Sequence, residues 1–321
     1  MVFFPSGNLF EAEEALFLNS TLMSILNSVL ARMLPIVPKA LIRPFSNPYV
    51  AGETEDEAMQ TVKELNENGY SVTLDILGEH TKSEIEAKAI TEAYAHIYDR
   101  VAAENLDCNI SIKLTHIGLD VGEDTVLKNL NTLIEHAKAS GNFLRIDMEN
   151  SPYTDQTLAI YNRLIQDYPN VGVVLQAYLK RTPDDITALD SAGFNARICK
   201  GIYRESPDIA YQDRIEIRDH FAVAVQRILT GEGYVAIATH DLTLINSVEE
   251  WILEQQIEKS RYEFQVLYGV PMSGKLRALK EAGHKVRIYV PFGADWYVYS
   301  IRRLKENPKI ISYVMGNWLK R

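Results

Sequence analysis

The sequence predicts an α/β fold, a (β/α)8 TIM-type barrel preceded by an N-terminal helical arm. Two observations favour this fold. Eight β-rich runs alternate with amphipathic helical segments from residue 55 onward, and strands that alternate with helices form parallel sheets. Successive runs begin 23 to 39 residues apart, which leaves room for a helix in each interval. Eight right-handed crossovers close naturally into a barrel, and a doubly wound open sheet is the alternative fold.

The predicted strands are short runs, rich in β-branched and aromatic residues, that end in polar residues. They occupy residues 72–77, 109–114, 143–148, 171–178, 195–201, 234–239, 262–269 and 285–293. Segments 56–68, 82–104 and 124–139 carry the apolar i, i+3, i+4 spacing of amphipathic helices. No linker rich in proline, glycine or serine interrupts residues 55–321. We therefore expect a helical arm over residues 1–54 and one catalytic domain over residues 55–321.

Composition excludes several classes of protein. The 46% of hydrophobic residues excludes a disordered or low-complexity chain. A net charge of −10 opposes nonspecific binding to nucleic acid, so we expect no such partner. The two cysteines, Cys108 and Cys199, belong to no paired motif, and the histidines show no ligand spacing. We expect no metal site and a location in the reducing cytoplasm.

Residues 15–31 form an uncharged segment within the predicted arm. Polar residues such as Asn19 interrupt it, and it is too short to span a membrane. Acidic residues such as Glu13 precede it, which opposes a secretory signal. Leu18 and Leu22 belong to one apolar face at helical spacing, so we predict a helix packed on the main domain. A contact with a membrane surface or a partner is the alternative.

Polar side chains recur where the predicted strands end. A barrel places its chemistry at the carboxyl ends of its strands, so these residues should share one rim. They are Asp75, Glu79, Lys113, Thr115, Asp147, Glu149, Gln176, Tyr178, Arg197, Lys200, Tyr203, Thr239, His240, Gln265, Tyr268 and Tyr289. We therefore predict the active site at this rim.

Two motifs suggest other chemistry. Residues 269–275 have the GxxxxGK spacing of a P-loop, but Leu276 stands where the magnesium-binding hydroxyl belongs, and Pro271 removes a backbone donor. We expect no nucleotide triphosphate there. Lys113 and Lys200 lie at strand ends, where a barrel lyase or aldolase would place its Schiff-base lysine. That Schiff-base enzyme is the alternative function.

Adjacent arginines follow the eighth predicted strand. Tyr299, Arg302 and Arg303 lie at the start of the last predicted helix, where the helix dipole favours anions. Guanidinium groups match carboxylate and phosphate bidentately. The pair therefore predicts an acidic substrate group or a cofactor phosphate.

With these residues in place, the chain resembles the proline dehydrogenases, both the bacterial monofunctional enzymes and the matching domain of bifunctional proline utilisation A. The similarity runs from about Tyr49 to the carboxyl terminus. The shared motifs lie at 77–79, 111–115, 145–149, 176–178, 197–203, 238–240, 264–269, 289–293 and 299–303. The resemblance implies a (β/α)8 barrel that oxidises L-proline to Δ1-pyrroline-5-carboxylate by hydride transfer to noncovalent FAD. It also implies a membrane quinone as electron acceptor, a peripheral position at the inner face of the cell membrane and a pyrroline-5-carboxylate dehydrogenase as a partner.

The resemblance also assigns roles to residues of this chain. Lys113, Arg302 and Arg303 would hold the proline carboxylate, Leu267 and Tyr289 would pack the ring, and Glu79 would pair with Arg302 as a gate. Asp147 would orient the site, and Arg197 would stabilise charge on the reduced flavin. The flavin-contacting positions would be Met148, Gln176, Lys200, Gly201, Ile202, Tyr203, Thr239, His240 and Gln265.

One residue departs from the family pattern. Ile202 stands where the family's KGAY motif has alanine. Three extra carbons should crowd the pocket, so we expect a narrower tolerance for bulky proline analogues than in relatives with alanine.

Overall fold

The structure is a computed structural model that describes residues 42–43, 46, 48–190 and 193–306, with side chains as far as residue 301. The chain divides into two compact units, residues 49–294 and residues 1–48 with 295–321. The helix predicted over residues 15–31 lies outside the described residues. Within the described part, no helix combines the length and the apolar character needed to cross a membrane.

Strands and helices alternate through the larger unit. In chain order they are α1 (Glu55–Glu67), β1 (Ser71–Ile76), α2 (Glu84–Ala103), β2 (Cys108–Ile112), α3 (Glu123–Ser140), β3 (Leu144–Ile146), α4 (Thr154–Asp167), β4 (Val171–Gln176), α5 (Thr182–Leu189), β5 (Asn195–Cys199), α6 (Arg214–Thr230), β6 (Tyr234–Ala238), α7 (Leu242–Glu254), β7 (Tyr262–Leu267), α8 (Lys275–Glu281) and β8 (Val286–Phe292). Short 3-10 helices, Ser151–Tyr153 and Lys259–Arg261, precede α4 and β7. Helix α9 (Trp296–Glu306) belongs to the other unit.

The eight strands form a closed parallel barrel. Each strand pairs with the next in the chain, and β1 closes the ring against β8, with Thr73 opposite Tyr289 in register. This confirms the (β/α)8 barrel, and the open-sheet alternative is wrong. Every predicted run contains a strand, although most runs extend one or two residues too far. The extra residues end the ladder because they turn toward the rim of the barrel.

Capping residues fix where the helices begin. Thr54 and Glu57 form a capping box at α1, and Ser83, Asp213 and Asp241 cap α2, α6 and α7 through their side chains. Such caps satisfy backbone N–H groups that have no partner inside the helix, and each contributes about 1 kcal/mol. Each capped helix therefore begins at a defined residue. That residue also ends the loop that connects the preceding strand to the helix.

The two faces of the strands differ in character. Outward residues such as Val72 and Leu74 are fully buried in the apolar layer against the helices. Many inward residues are polar, and some of their hydrogen bonds cross the barrel between strands that are not neighbours, as between Asp147 on the β3 side and Arg197 on β5. The barrel interior is therefore a buried polar network, and this network positions the site.

His116 follows β2 and packs against the loop after β1. Its Nδ1 has no hydrogen-bond partner among the described residues, and a Cβ at Gly78 would lie 2.3 Å from its Nε2. Glycine at position 78 is therefore required by this contact. Burial, helped by the charge of Lys113, lowers the pKa of His116 to about 4.

We predict that protonation of His116 lowers the free energy of unfolding as the pH decreases. The unfolded chain binds a proton near pH 6.5 and the folded chain only near pH 4, so the loss develops between these values and is absent above pH 7. At pH 5.5 the linkage amounts to about 1.4 kcal/mol. Urea unfolding at pH 7.5 and 5.5 should show this loss reduced in His116→Asn relative to the unmodified protein. An equal loss in both proteins would contradict the assignment.

Candidate active site

Asp147 lies directly after β3 and joins three other strands. Its Oδ1 accepts hydrogen bonds from Ser111 Oγ at 2.5 Å and from Arg197 Nη1 at 2.7 Å, and its Oδ2 accepts one from Tyr289 Oη at 2.8 Å. Burial alone would raise the pKa of Asp147, but the charges of Arg197 and Lys113 outweigh it, so the pKa lies below its ordinary value. Asp147 is therefore a carboxylate that fixes three side chains at once.

Asp75 and Lys113 form a second buried ion pair beside Asp147. Lys113 Nζ donates to Asp75 Oδ2 at 2.9 Å and to Oδ1 at 3.1 Å, and Tyr94 Oη also reaches Asp75 Oδ1. Burial opposes the charge on Lys113, but Asp75 and Asp147 raise its pKa above the ordinary value. Lys113 is therefore an ammonium group, with a charge that can face an anion.

A chain of hydrogen bonds connects Arg197 to the deeper barrel. Arg197 Nε donates to Gln265 Oε1 at 2.7 Å, and Gln265 Nε2 donates to Glu263 Oε1 at 2.5 Å. Arg287 Nε contacts both oxygens of Glu263, at 2.9 and 3.0 Å. Burial opposes ionisation, yet Arg287 and Lys285 lower the pKa of Glu263 to about 2. The Glu263 carboxylate therefore fixes the orientation of the Gln265 amide, which presents its oxygen to Arg197.

Two buried polar atoms on β4 and β5 have no hydrogen-bond partner within the described part of the chain. They are Arg197 Nη2 and Gln176 Oε1. Gln176 is held through its amide nitrogen, which donates to Glu149 O at 2.9 Å, so its oxygen stays available. Buried polar groups are rarely left unsatisfied. Arg197 Nη2 is a hydrogen-bond donor and Gln176 Oε1 is an acceptor. Together they suit a polar heterocycle that carries both an acceptor and a donor.

The backbone also passes close to an aromatic ring at this end. Gly201 has φ +108°, and a Cβ there would lie 2.2 Å from the Tyr178 ring. Only glycine lets the chain pass the ring so closely. Ile202 follows with 43% of its side chain exposed, so it can contact a bound group. Its predicted effect on analogues stays a prediction.

A second group of charges lies after β5 and β6. Lys200 Nζ donates to Asp241 Oδ2 at 2.6 Å, and Arg218 Nε donates to the same oxygen. Burial would raise the pKa of Asp241, but Lys200 and Arg218 lower it to about 2. His240 Nε2 accepts the backbone N–H of Leu267 at 2.9 Å, which links the ends of β6 and β7. Lys200 and Arg218 carry two positive charges and Asp241 carries one negative charge, so one positive charge remains beside this rim.

Comparison with known proteins gives the family. A sequence model of the proline dehydrogenase family matches residues 58–315. Proline dehydrogenase 1 of Bacillus subtilis subsp. natto is 37% identical over 273 residues, which cover 85% of this chain and 90% of that protein. Proline dehydrogenase of Deinococcus radiodurans is 34% identical over 277 residues, which cover 85% and 89%. The chain belongs to the proline dehydrogenase family.

Solved structures of proline utilization A share the barrel. The protein from Bdellovibrio bacteriovorus, inactivated by N-propargylglycine, superposes with a TM-score of 0.75 at 24% identity. The match covers 82% of this chain but only 32% of that one, so the chain spans about a third of the length of that structure. This likeness shows the fold. The identification made from motifs in the sequence is confirmed by the family match.

The structure brings several predicted site residues together and leaves others undecided. Lys113, Asp147, Arg197, Gln265 and Tyr289 form one network. Met148 and Thr239 are buried at the same rim, and Glu79, Tyr203 and Leu267 are half-buried there. Arg302 and Arg303 lie on α9, but their side chains are outside the described residues. Their roles and the gate between Glu79 and Arg302 therefore stay predictions.

Sequence reasoning missed several supporting residues. Glu263, Arg287 and Tyr94 were assigned no role, although they hold Gln265 and Asp75 in place. A spacing of two along β7, from Glu263 to Gln265, would have placed both on the inner face of the barrel. Ser111 belongs to a shared motif, but nothing in the sequence shows that its hydroxyl bonds Asp147.

The structure also bears on the rejected motifs. Lys275, in the P-loop-like segment, is paired with Glu249, and the helix that follows is only seven residues long. No group of three or more potential metal ligands occurs among the described residues.

We expect Glu263→Gln to destabilise the fold by about 3 to 5 kcal/mol, because it leaves the buried Arg287 without its ion partner. The control is Glu258→Gln on the nearby exposed loop, which should change stability by less than about 0.5 kcal/mol. Urea unfolding at neutral pH measures both. A loss below about 1 kcal/mol for Glu263→Gln would show that Arg287 does not depend on this carboxylate.

Proposed function

We propose that this chain catalyses FAD-dependent oxidation of L-proline to Δ1-pyrroline-5-carboxylate, by hydride transfer from the substrate. The observation that supports the proposal most directly is the hydrogen bonding of the Arg197 guanidinium group. Asp147 and Gln265 hold two of its nitrogens, while the third, Nη2, is buried without a partner in the described structure. A guanidinium fixed in this way can stabilise negative charge on a flavin, and the family match supports proline as the substrate.

The residues present fit a flavin. Arg197 Nη2 can donate to it and Gln176 Oε1 can accept from it, and both atoms lack a partner in the residues described. Lys200 with Arg218 offers positive charge for a pyrophosphate, and the backbone at Gly201 passes close to the Tyr178 ring at the same end of the barrel. The remaining contacts we assign to Met148, Ile202, Tyr203, Thr239, His240 and Gln265. When bound, FAD supplies the hydride acceptor.

Substrate binding rests on charge balance. Asp75 neutralises Lys113 and Asp147 neutralises Arg197, so these two ion pairs carry no net charge before substrate enters. We assign the proline carboxylate to Lys113 together with Arg302 and Arg303. Cations grouped around the carboxylate disfavour the ammonium form of the substrate nitrogen, which lowers its pKa. The neutral amine, which hydride loss requires, is thereby favoured.

The ring of the substrate needs a fixed apolar surface. The Tyr289 hydroxyl is held by Asp147, and its ring lies 4.9 Å from the Arg197 guanidinium carbon. These contacts hold the ring in one orientation. We propose that Tyr289 and Leu267 pack against the pyrrolidine ring, and that Glu79 closes over it by pairing with Arg302. Such closure would exclude water from the reacting carbon.

The electron acceptor and partners follow from the family resemblance. We propose a membrane quinone as acceptor, with the protein bound peripherally at the inner face of the cell membrane. Bifunctional relatives such as that of Escherichia coli are much longer, since this chain covers 25% of its length. We propose that a pyrroline-5-carboxylate dehydrogenase consumes the product.

The Schiff-base alternative conflicts with the geometry. A Schiff-base lysine must be a neutral amine. Asp75 holds Lys113 as an ammonium group, and Lys200 donates to Asp241 at 2.6 Å. Neither lysine is therefore prepared for nucleophilic attack.

The proposal predicts that the purified protein is yellow and that L-proline bleaches its flavin under anaerobic conditions. N-acetyl-L-proline is the matched control, because the lone pair of its amide nitrogen is delocalised into the carbonyl group and cannot support hydride loss. Absorbance near the flavin band measures both. A flavin-loaded protein that stays oxidised in saturating proline would contradict the proposal.

Two variants separate the roles within the same assay. Arg302→Met should raise the KM for proline about ten- to a hundredfold, since a charged hydrogen bond is lost, with little change in flavin content. Arg197→Ala should slow flavin reduction more than it weakens proline binding. Equal loss of flavin from both variants would show that the bound anion has been misassigned.

A further inference from the structure

A second cavity opens at the amino-terminal ends of the strands, opposite the rim that carries the site. Its volume is about 520 Å³, within the range of small-molecule pockets. The walls come from the starts of β2, β3, β5, β6, β7 and β8 and from the loops that precede them. The proposed reaction gives this cavity no role.

Arg145, on β3, is the unusual residue in this cavity. The residue is 2% exposed, yet its hydrogen bonds go only to neutral acceptors: Val173 O and Asn195 O, both at 3.0 Å, and Asn195 Oδ1 at 2.6 Å. Its Nε has no partner in the described chain. A guanidinium has five N–H donors, so two of them have no acceptor. Buried charges are normally paired, and here the partner is missing.

Arg287 on the same wall shows the contrast. It is bonded to both oxygens of Glu263 and to Val72 O. The ionised side chains that line the cavity are Arg145, Lys285, Arg287, Asp107 and Glu263. These are three cations and two carboxylates. Arg145 is the cation that forms no ion pair with a carboxylate among the described residues. Burial, together with the charge of Arg197, lowers the pKa of Arg145 to about 9, as expected for an uncompensated cation.

Two amides supply neutral donors to the same cavity. Asn109 Oδ1 accepts from Thr73, and Asn195 Oδ1 accepts from Arg145. Both residues line the cavity, and the hydrogen bonds that their side chains make there use the amide oxygens. Each oxygen is therefore used inside the protein, while each NH2 group remains for a ligand. Lys285 also lines the cavity, and its ammonium group adds a third donor that carries a positive charge.

We propose that this cavity binds a small oxyanion through Arg145, Asn109, Asn195 and Lys285. The ligand carries a carboxylate or a phosphate group, because planar guanidinium donors match both. The site is independent of the proposed proline oxidation.

Thermal unfolding of the flavin-containing protein tests the proposal. Sodium phosphate and sodium acetate are titrated separately at an ionic strength held constant with sodium chloride. A saturable rise in Tm with phosphate alone assigns a phosphate ligand, and a rise with acetate assigns a carboxylate ligand. No saturable rise with either anion overturns the site.

Variants show where the anion binds, because acetate could also occupy the proposed substrate site. Asn109→Asp keeps the shape and the acceptor for Thr73 but places a carboxylate in the cavity, so binding should disappear. Lys285→Glu should weaken binding about tenfold or more, whereas Lys88→Glu on the exposed face of α2 should leave it unchanged. Unchanged binding in Asn109→Asp and Lys285→Glu would overturn the proposal. Proline-dependent flavin bleaching should persist in Asn109→Asp, which separates this test from that of the proposed function.

Discussion

The site depends on one buried carboxylate, that of Asp147. It receives hydrogen bonds from Ser111, Arg197 and Tyr289, which come from three different strands. Removing a carboxylate from water is costly unless such donors replace its hydration. Once they do, the Arg197 guanidinium and the Tyr289 ring have little freedom. The geometry of this candidate site thus follows from the hydrogen bonds that satisfy a single buried carboxylate.

The rest of the barrel interior repeats this principle. Asp75 with Lys113 and Glu263 with Arg287 form further buried ion pairs around the same axis. Buried pairs are weak sources of stability, because desolvation offsets most of their attraction. Their value here is orientation: Glu263 sets the direction of the Gln265 amide, which in turn holds Arg197. Arg145 lacks such a carboxylate partner in the described chain, which is why a ligand is inferred there.

Much of this arrangement could be predicted from the sequence. Alternating strand and helix patterns located all eight strands, because a strand that is covered by helices carries an apolar outer face. Polar residues at strand ends pointed to Lys113, Asp147, Arg197, Gln265 and Tyr289, whose side chains lie in the buried polar network of the barrel, while their roles stay predictions. The partners were harder to predict, because the bond from Ser111 to Asp147 and the pairing of Glu263 with Arg287 depend on barrel register. A sequence pattern does not contain that register. The positions of the Arg302 and Arg303 side chains lie beyond the described structure.

The most direct test of the account is the rate of flavin reduction in Asp147→Asn, measured by stopped-flow absorbance at saturating proline. The substitution keeps the shape of the side chain, removes its charge and replaces one of its two acceptor oxygens by an NH2 donor. The control is Asp120→Asn, an exposed carboxylate that bonds His80 and Tyr153. We expect Asp147→Asn to reduce its flavin at least about a hundredfold more slowly, at nearly normal flavin content, while Asp120→Asn reduces it normally. A rate within about twofold of the unmodified protein would contradict the central role of Asp147.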